Sequence, residues 1–369
     1  MSSTYQLCQY FLRSAKVALL CSSSLLVFTM ANVTSLPSHR ALALETVPSQ
    51  DLDAASFYQQ GVMRYHRKDF QGAESAFRLA LQRDPNLAAA RSFLGNMMLL
   101  QNRFEAAAQE YAEAIRINPS QPEAYYNLGL ALQRQGQPEA AMTAYRQALI
   151  VNPNLANAHY NSGLILYQQG RVEEAIAAYR QATNLDGNND NAYLNLAIAL
   201  QQQGNVSEAI AAYQQAVKIN PQNVIAYNNL GSLFALQGQN PEAVATYKEA
   251  IRLMPENAEA YYNLGITWYN QGEYKNANSA FKRARSRYQE QGNIQQVAKI
   301  DQLMLQVAQK EQTQKQPTQI TQAPAPNRTS ANPETPAVSI PVEEPPAFEP
   351  VLPPSPDENV QETSLKGKK

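Results

Sequence analysis

Small and apolar side chains return along this chain every 34 residues. Seven times one slot holds a residue with little or no side chain: Gly61, Gly95, Gly129, Gly163, Ala197, Gly231 and Gly265. Twelve residues beyond each stands an alanine (Ala73, Ala107, Ala141, Ala175, Ala209, Ala243, Ala277). Four further on comes an aromatic ring (Phe77, Tyr111, Tyr145, Tyr179, Tyr213, Tyr247, Phe281), and three beyond that a second alanine (Ala80, Ala114, Ala148, Ala182, Ala216, Ala250, Ala284). With about 3.6 residues per helical turn, offsets of three and four return to one face. Alanine, ring and alanine therefore form one stripe, which predicts a buried seam on the second of two helices in each unit. A large side chain at Ala175, within that seam, is expected to cost about 1–3 kcal/mol through overpacking.

Turn chemistry separates the helices. Gly136, Gly170, Gly204, Gly238 and Gly272 follow the first helices as left-handed stops. Pro138 and Pro241 fall in the first turn of second helices, where a missing amide hydrogen is harmless. Pro85, Pro119, Pro153, Pro221 and Pro255 end those helices, and Gly187 takes that place in the fourth unit. The pattern predicts an all-α solenoid of seven helix–turn–helix units, with function on a long composite surface.

The units run 54–87, 88–121, 122–155, 156–189, 190–223, 224–257 and 258–291. With YYNLG at 125–129 and again at 261–265, they resemble the tetratricopeptide repeat (TPR) family. The resemblance implies a right-handed superhelix whose concave face is lined by the first helix of every unit, and a scaffold that binds a peptide or protein. The first unit departs from the pattern at Gln60, Arg64 and Lys68, as expected of a cap whose outer side meets water. At the other end the last unit has Gln289 in place of its terminal proline. Beyond Gly292, Ile294, Val297, Ile300, Met304 and Val307 recur at helical spacing, predicting a capping helix over 292–311.

Composition divides the rest of the chain. Residues 1–43 read as an export signal: Arg13 and Lys16, an apolar stretch from Val17 to Phe28, then cleavage sites after Ala31 or Ala43. Uncleaved, the same segment is a membrane anchor, the one membrane contact the sequence predicts. Both cysteines, Cys8 and Cys21, fall within it, so a cleaved chain carries no thiol. That suits packing without disulfides in an extracytoplasmic space, periplasmic or secreted. Residues 44–53 read as a short linker. Residues 312–369, rich in Pro, Gln, Thr and Glu, read as a disordered tail that acts as a solubilising spacer or carries docking motifs.

Charge and chemistry narrow the function classes. With 30 Lys and Arg against 31 Asp and Glu, the chain lacks the basic footprint that nucleic-acid binding requires. A local basic group, Lys282, Arg283, Arg285 and Arg287, reads as a solvated outer face. The three histidines, His39, His66 and His159, are scattered, and no HExxH, phosphate loop or nucleophile elbow accompanies them. The expectation is a protein that is not an enzyme, with no catalytic residue, no metal site and no cofactor.

One surface pattern points to binding. Asn127, Asn161, Asn195, Asn229 and Asn263 form a ladder just before the Leu-Gly pair or its equivalent. Each amide has two donors and an acceptor, so a row of them suits clamping the main chain of an extended peptide. Asparagine is also a common structural residue at this position of the repeat. Tyrosines flank the ladder: Tyr58, Tyr126, Tyr160 and Tyr262 before it, Tyr65, Tyr167 and Tyr269 after it. The expected peptide-binding set is the five asparagines with Tyr126, Tyr160, Tyr167, Tyr262 and Tyr269. Net hydrogen bonds contribute about 0.5–1.5 kcal/mol each, so the tyrosines must supply affinity as aromatic anchors.

The ladder is similar to that of O-linked N-acetylglucosamine transferases, whose catalytic domain has no counterpart after Glu311. The Lys and Arg clamp of chaperone-tail binders is replaced here by residues such as Tyr126, Asn157 and Asn191. The sequence thus reads as an exported scaffold for extended protein segments, the partner's identity and the oligomeric state left open. Two alternatives stand beside it: an assembly factor of the cell envelope acting through its Pro-rich tail, and a non-catalytic accessory to a glycosyltransferase.

Overall fold

The computed structural model describes residues 51–315; the export segment, most of the linker and nearly all of the tail lie outside them. The described residues form fifteen helices and no strand. Seven antiparallel pairs follow one another: α1 (Leu52–His66) with α2 (Phe70–Arg83), α3 (Ala88–Leu100) with α4 (Phe104–Ile117), and α5 (Pro122–Arg134) with α6 (Pro138–Val151). Next come α7 (Ala156–Gln168) with α8 (Val172–Leu185), α9 (Asp190–Gln202) with α10 (Val206–Ile219), α11 (Val224–Leu236) with α12 (Asn240–Leu253), and α13 (Ala258–Asn270) with α14 (Tyr274–Glu290). A final helix, α15 (Ile294–Lys315), packs on α14.

The seam is the core. All fourteen alanines of the stripe and all seven rings are 0% exposed. Six of the rings lie over the glycine sixteen positions earlier: a Cβ built on Gly163 would sit 2.6 Å from Cε1 of Tyr179, and one on Gly95 2.7 Å from Cε1 of Tyr111. The glycines are there to let the ring in, and the ring closes each helix pair. Truncating such a side chain to alanine costs about 3–5 kcal/mol.

Turns recur with the same economy. Gly136, Gly170, Gly204, Gly238 and Gly272 adopt φ of 72–83°, and the first two units hold the same left-handed position with Lys68 (φ 62°) and Asn102 (φ 56°). At the end of the second helices, the side-chain oxygens of Asp84, Asn118, Asn152, Asp186 and Asn220 each accept a bond from the backbone N–H two residues on, at 3.0–3.2 Å. Asn189, Asn223 and Asn257 then cap the following first helices through the N–H three residues on.

Each helix packs on its predecessor and successor, and first helices also meet across units: α3 with α5, α7 with α9, α11 with α13. In these three places the first helices of neighbouring units share a surface. In α15, Ile300, Leu303 and Val307 are buried against Tyr262 and Phe281, and Arg285 of α14 pairs with Asp301 at 2.6 Å. Ile294, expected in the buried stripe, is 79% exposed. It stands in the first turn, ahead of the contact, while Leu303 occupies the seat between Ile300 and Val307.

Candidate functional site

Where the spacing leads one to expect a row of open amides, the structure turns the ladder into the wall. Asn161, Asn195, Asn229 and Asn263 are only 0–2% exposed, and Asn127 is half-buried. Each of the first four rungs donates Nδ2 to a side chain of the preceding unit. Asn127 reaches Oδ1 of Asn96 (3.2 Å), Asn161 the hydroxyl of Tyr126 (3.2 Å), Asn195 that of Tyr160 (3.0 Å), and Asn229 that of Tyr213 (3.1 Å). The physical reason is position: these residues lie where neighbouring units meet, so the amide donor is spent on unit-to-unit bonding. The acceptor half is left over, since Oδ1 of Asn161, Asn229 and Asn263 is buried without a donor.

The tyrosines divide. Tyr160, Tyr262 and Tyr269 are buried at 4, 3 and 8% exposure, whereas Tyr126 and Tyr167 are half-buried and keep part of each ring on the surface. Tyr126 and Tyr160 pack their rings 5.8 and 6.1 Å from Tyr145 and Tyr179, and Tyr262 lies 6.3 Å from Phe281. Burial raises the phenol pKa of Tyr126, partly offset by the bond from Asn161, and pushes that of Tyr262 up to about 12. All stay neutral at physiological pH and contribute ring surface and a hydroxyl, not charge. Three of the four basic residues of α14 are engaged within the fold: Arg285 with Asp301, Arg287 with Glu290 at 2.7 Å, and Arg283 over the ring of Tyr261; Lys282 is exposed.

A cavity of about 360 Å³ opens between the last two units, where α11, α13 and the end of α14 converge. Its apolar wall includes Val224, Ile225 and Met254, and its polar wall Asn228, Glu259 and Tyr288. Burial raises the carboxyl pKa of Glu259, and the Tyr288 phenol is pushed up to about 12 by burial and then by Glu259. None of these residues belongs to the set expected from sequence. The signal that would have found them is departure from the repeat. Met254 stands where five earlier units have Asp or Asn, and Asn228 where Tyr58, Tyr126, Tyr160 and Tyr262 stand in theirs. Gln289 replaces the terminal proline, so α14 runs 17 residues against 14 in α12 and carries Tyr288 to the cavity.

Among the described residues no group of three or more His, Cys, Asp or Glu is placed to hold a metal ion. Also among them, no helix is long and apolar enough to cross a membrane. What the surface offers chemically is ring faces, amide and carboxylate acceptors and apolar walls.

The family model for the cilia and flagella-associated protein 70 C-terminal domain, a TPR domain, matches residues 30–303. No curated protein matches the chain. Of solved structures, Pseudomonas aeruginosa pilF superposes with a TM-score of 0.51 at 22% identity, covering 57% of this chain and 96% of its own. The C-terminal part of a TPR repeat-containing protein from Cytophaga hutchinsonii gives 0.53 at 14% identity, over 62% of this chain and 94% of its own. Both share the fold. YrrB, a TPR protein with an unusual peptide-binding site, gives 0.47 at 23% identity, over 49% and 93%.

Proposed function

The chain belongs to the TPR family represented by the cilia and flagella-associated protein 70 C-terminal domain, and from that premise we propose that it is an exported scaffold holding extended segments of partner proteins on the face of its first helices. The observation that carries the reading is the contact of first helices across units, α3 with α5, α7 with α9 and α11 with α13, beside which Tyr126, Asn127 and Tyr167 remain partly accessible. The buried amides then have a positioning role. By tying the third to sixth units to their predecessors they stiffen the face, which lowers the entropy lost when an extended segment is ordered on it.

Work by binding, without catalysis, is part of the same proposal. Export rests on the basic, apolar and small-residue order of residues 1–43. A mature N-terminus at Asn32 or Leu44 is expected from Edman sequencing; an intact Met1 in a cytosolic fraction would remove the export half of the proposal.

The binding half is tested by photocrosslinking in the native cell, with benzoylphenylalanine at Asn157 or Tyr167 of α7, or at Thr143 on the outside of α6. Crosslinks to partner segments are expected from the α7 positions. Partners captured at Thr143 alone would move recognition off the first helices.

A further inference from the structure

We propose that the cavity between the sixth and seventh units is a pocket for a cationic side chain, a lysine or arginine of an extended protein segment. This deepens the scaffold reading and rests on it. Three departures from the repeat converge on one place. Met254 gives up the turn hydrogen bond that Asp84, Asn118, Asn152, Asp186 and Asn220 make, and sets a 41% exposed apolar side chain against the opening. Asn228, in a slot that four units fill with tyrosine and two with Ser92 and Leu194, places an amide that is 6% exposed and whose Oδ1 is buried without a donor. The lengthened α14 brings Tyr288.

The polar groups ask for donors and positive charge. Among the described residues neither Glu256 nor Glu259 forms a salt bridge. The nearby cations are taken: Arg252 pairs with Glu249 and Arg287 with Glu290, each at 2.7 Å. Glu259 thus presents a carboxylate that the fold has desolvated and left without a counter-ion, beside the spare acceptor of Asn228. A lysine or arginine side chain answers both halves of the lining. Its aliphatic stem covers Val224, Ile225 and Met254, and its head donates to Glu259 and Asn228. A cavity of about 360 Å³ has room for one such side chain.

The test is selection of a random seven-residue phage-displayed peptide library on the immobilised full chain and, in parallel, on Glu259→Gln. Lysine or arginine enriched at one position on the wild type, with that enrichment lost on the variant, is the expected result. A synthetic peptide of the selected sequence should then bind Glu259→Gln at least about tenfold more weakly, while norleucine in place of its cation should weaken wild-type binding to a similar degree. Thermal melting of the variant shows that it folds. Binders without a preferred cation, or equal affinity for both proteins, overturn the pocket and leave the scaffold standing. A library that yields no binder to the wild type removes the scaffold reading, and the pocket with it.

Discussion

Replacing Gly163 with alanine sets two large effects against each other, and the structure decides between them. The residue lies inside α7, where alanine is favoured over glycine by about 0.8–1.0 kcal/mol. The new Cβ, however, would lie 2.6, 2.7 and 3.2 Å from Cε1, Cδ1 and Cζ of Tyr179, a ring that is fully buried. Ordinary carbon contacts fall at about 3.5–4.0 Å, so the ring must shift by roughly an ångström within a packed wall, at a cost of about 1–3 kcal/mol. The expected net is a loss of up to about 2 kcal/mol. Ala197, in the same slot sixteen residues before Tyr213 and in the same buried cluster, is the internal control: Ala197→Gly loses helix propensity and leaves a methyl-sized gap, about 1–2 kcal/mol. Guanidinium unfolding followed by circular dichroism measures the total. Hydrogen exchange in α7 and α8 shows whether the loss is local, as it should be when units couple only to their neighbours. A Gly163→Ala protein more stable than wild type by the full propensity gain would refute the argument that ring contact governs this slot.

Removing a hydroxyl should have opposite signs in two equivalent units. The Tyr179 hydroxyl is buried without a partner, so Tyr179→Phe is expected to be neutral or to stabilise by about 1 kcal/mol; that of Tyr213 accepts from Asn229 and donates to Gln201, so Tyr213→Phe should cost about 1 kcal/mol in the same denaturation assay. Glu259 makes stability depend on pH. Its folded pKa is raised by burial, so the penalty is absent below the unfolded carboxylate value, grows as pH rises to the folded value and is complete above it. Melting curves should show Glu259→Gln more stable than wild type at neutral pH and equal to it in acid, whereas an advantage of equal size at both would exclude the linkage. Met254→Asn restores the turn acceptor at a backbone geometry (φ −135°, ψ 87°) close to that of Asn152 (φ −137°, ψ 98°). It should stabilise by about 0.5–1.5 kcal/mol and weaken binding of the selected peptide; a destabilised variant would show that Met254 serves packing.

The difference between what could and could not be read from the sequence follows from where each contact is written. The burial of Tyr179 was legible because Ala175, Tyr179 and Ala182 recur at a fixed helical interval; that the ring lies over Gly163 came from the packing of the two helices. The direction of the asparagine ladder was not legible. A period shows that Asn161, Asn195 and Asn229 share a role, but successive helical residues point about 100° apart, and a position beside the Leu-Gly pair lies at the border between wall and surface. Which side it takes depends on the hydroxyls of Tyr126, Tyr160 and Tyr213: the first two stand 35 residues before their asparagines, but Asn229, with Leu194 in that slot, turns to Tyr213 sixteen residues before it. The cavity was hidden for the opposite reason. The slot of Asn228 already varies, with Ser92 and Leu194 in other units, and Met254 and Tyr288 depart from one slot only in the last two units, so the departures show as a group only where α11, α13 and α14 stack. In a repeat array a kept position reports on packing between units. A broken one such as Met254, which costs the fold a turn bond, needs another explanation, and the proposed cationic side chain supplies one for it and for the uncompensated carboxylate of Glu259 beside it.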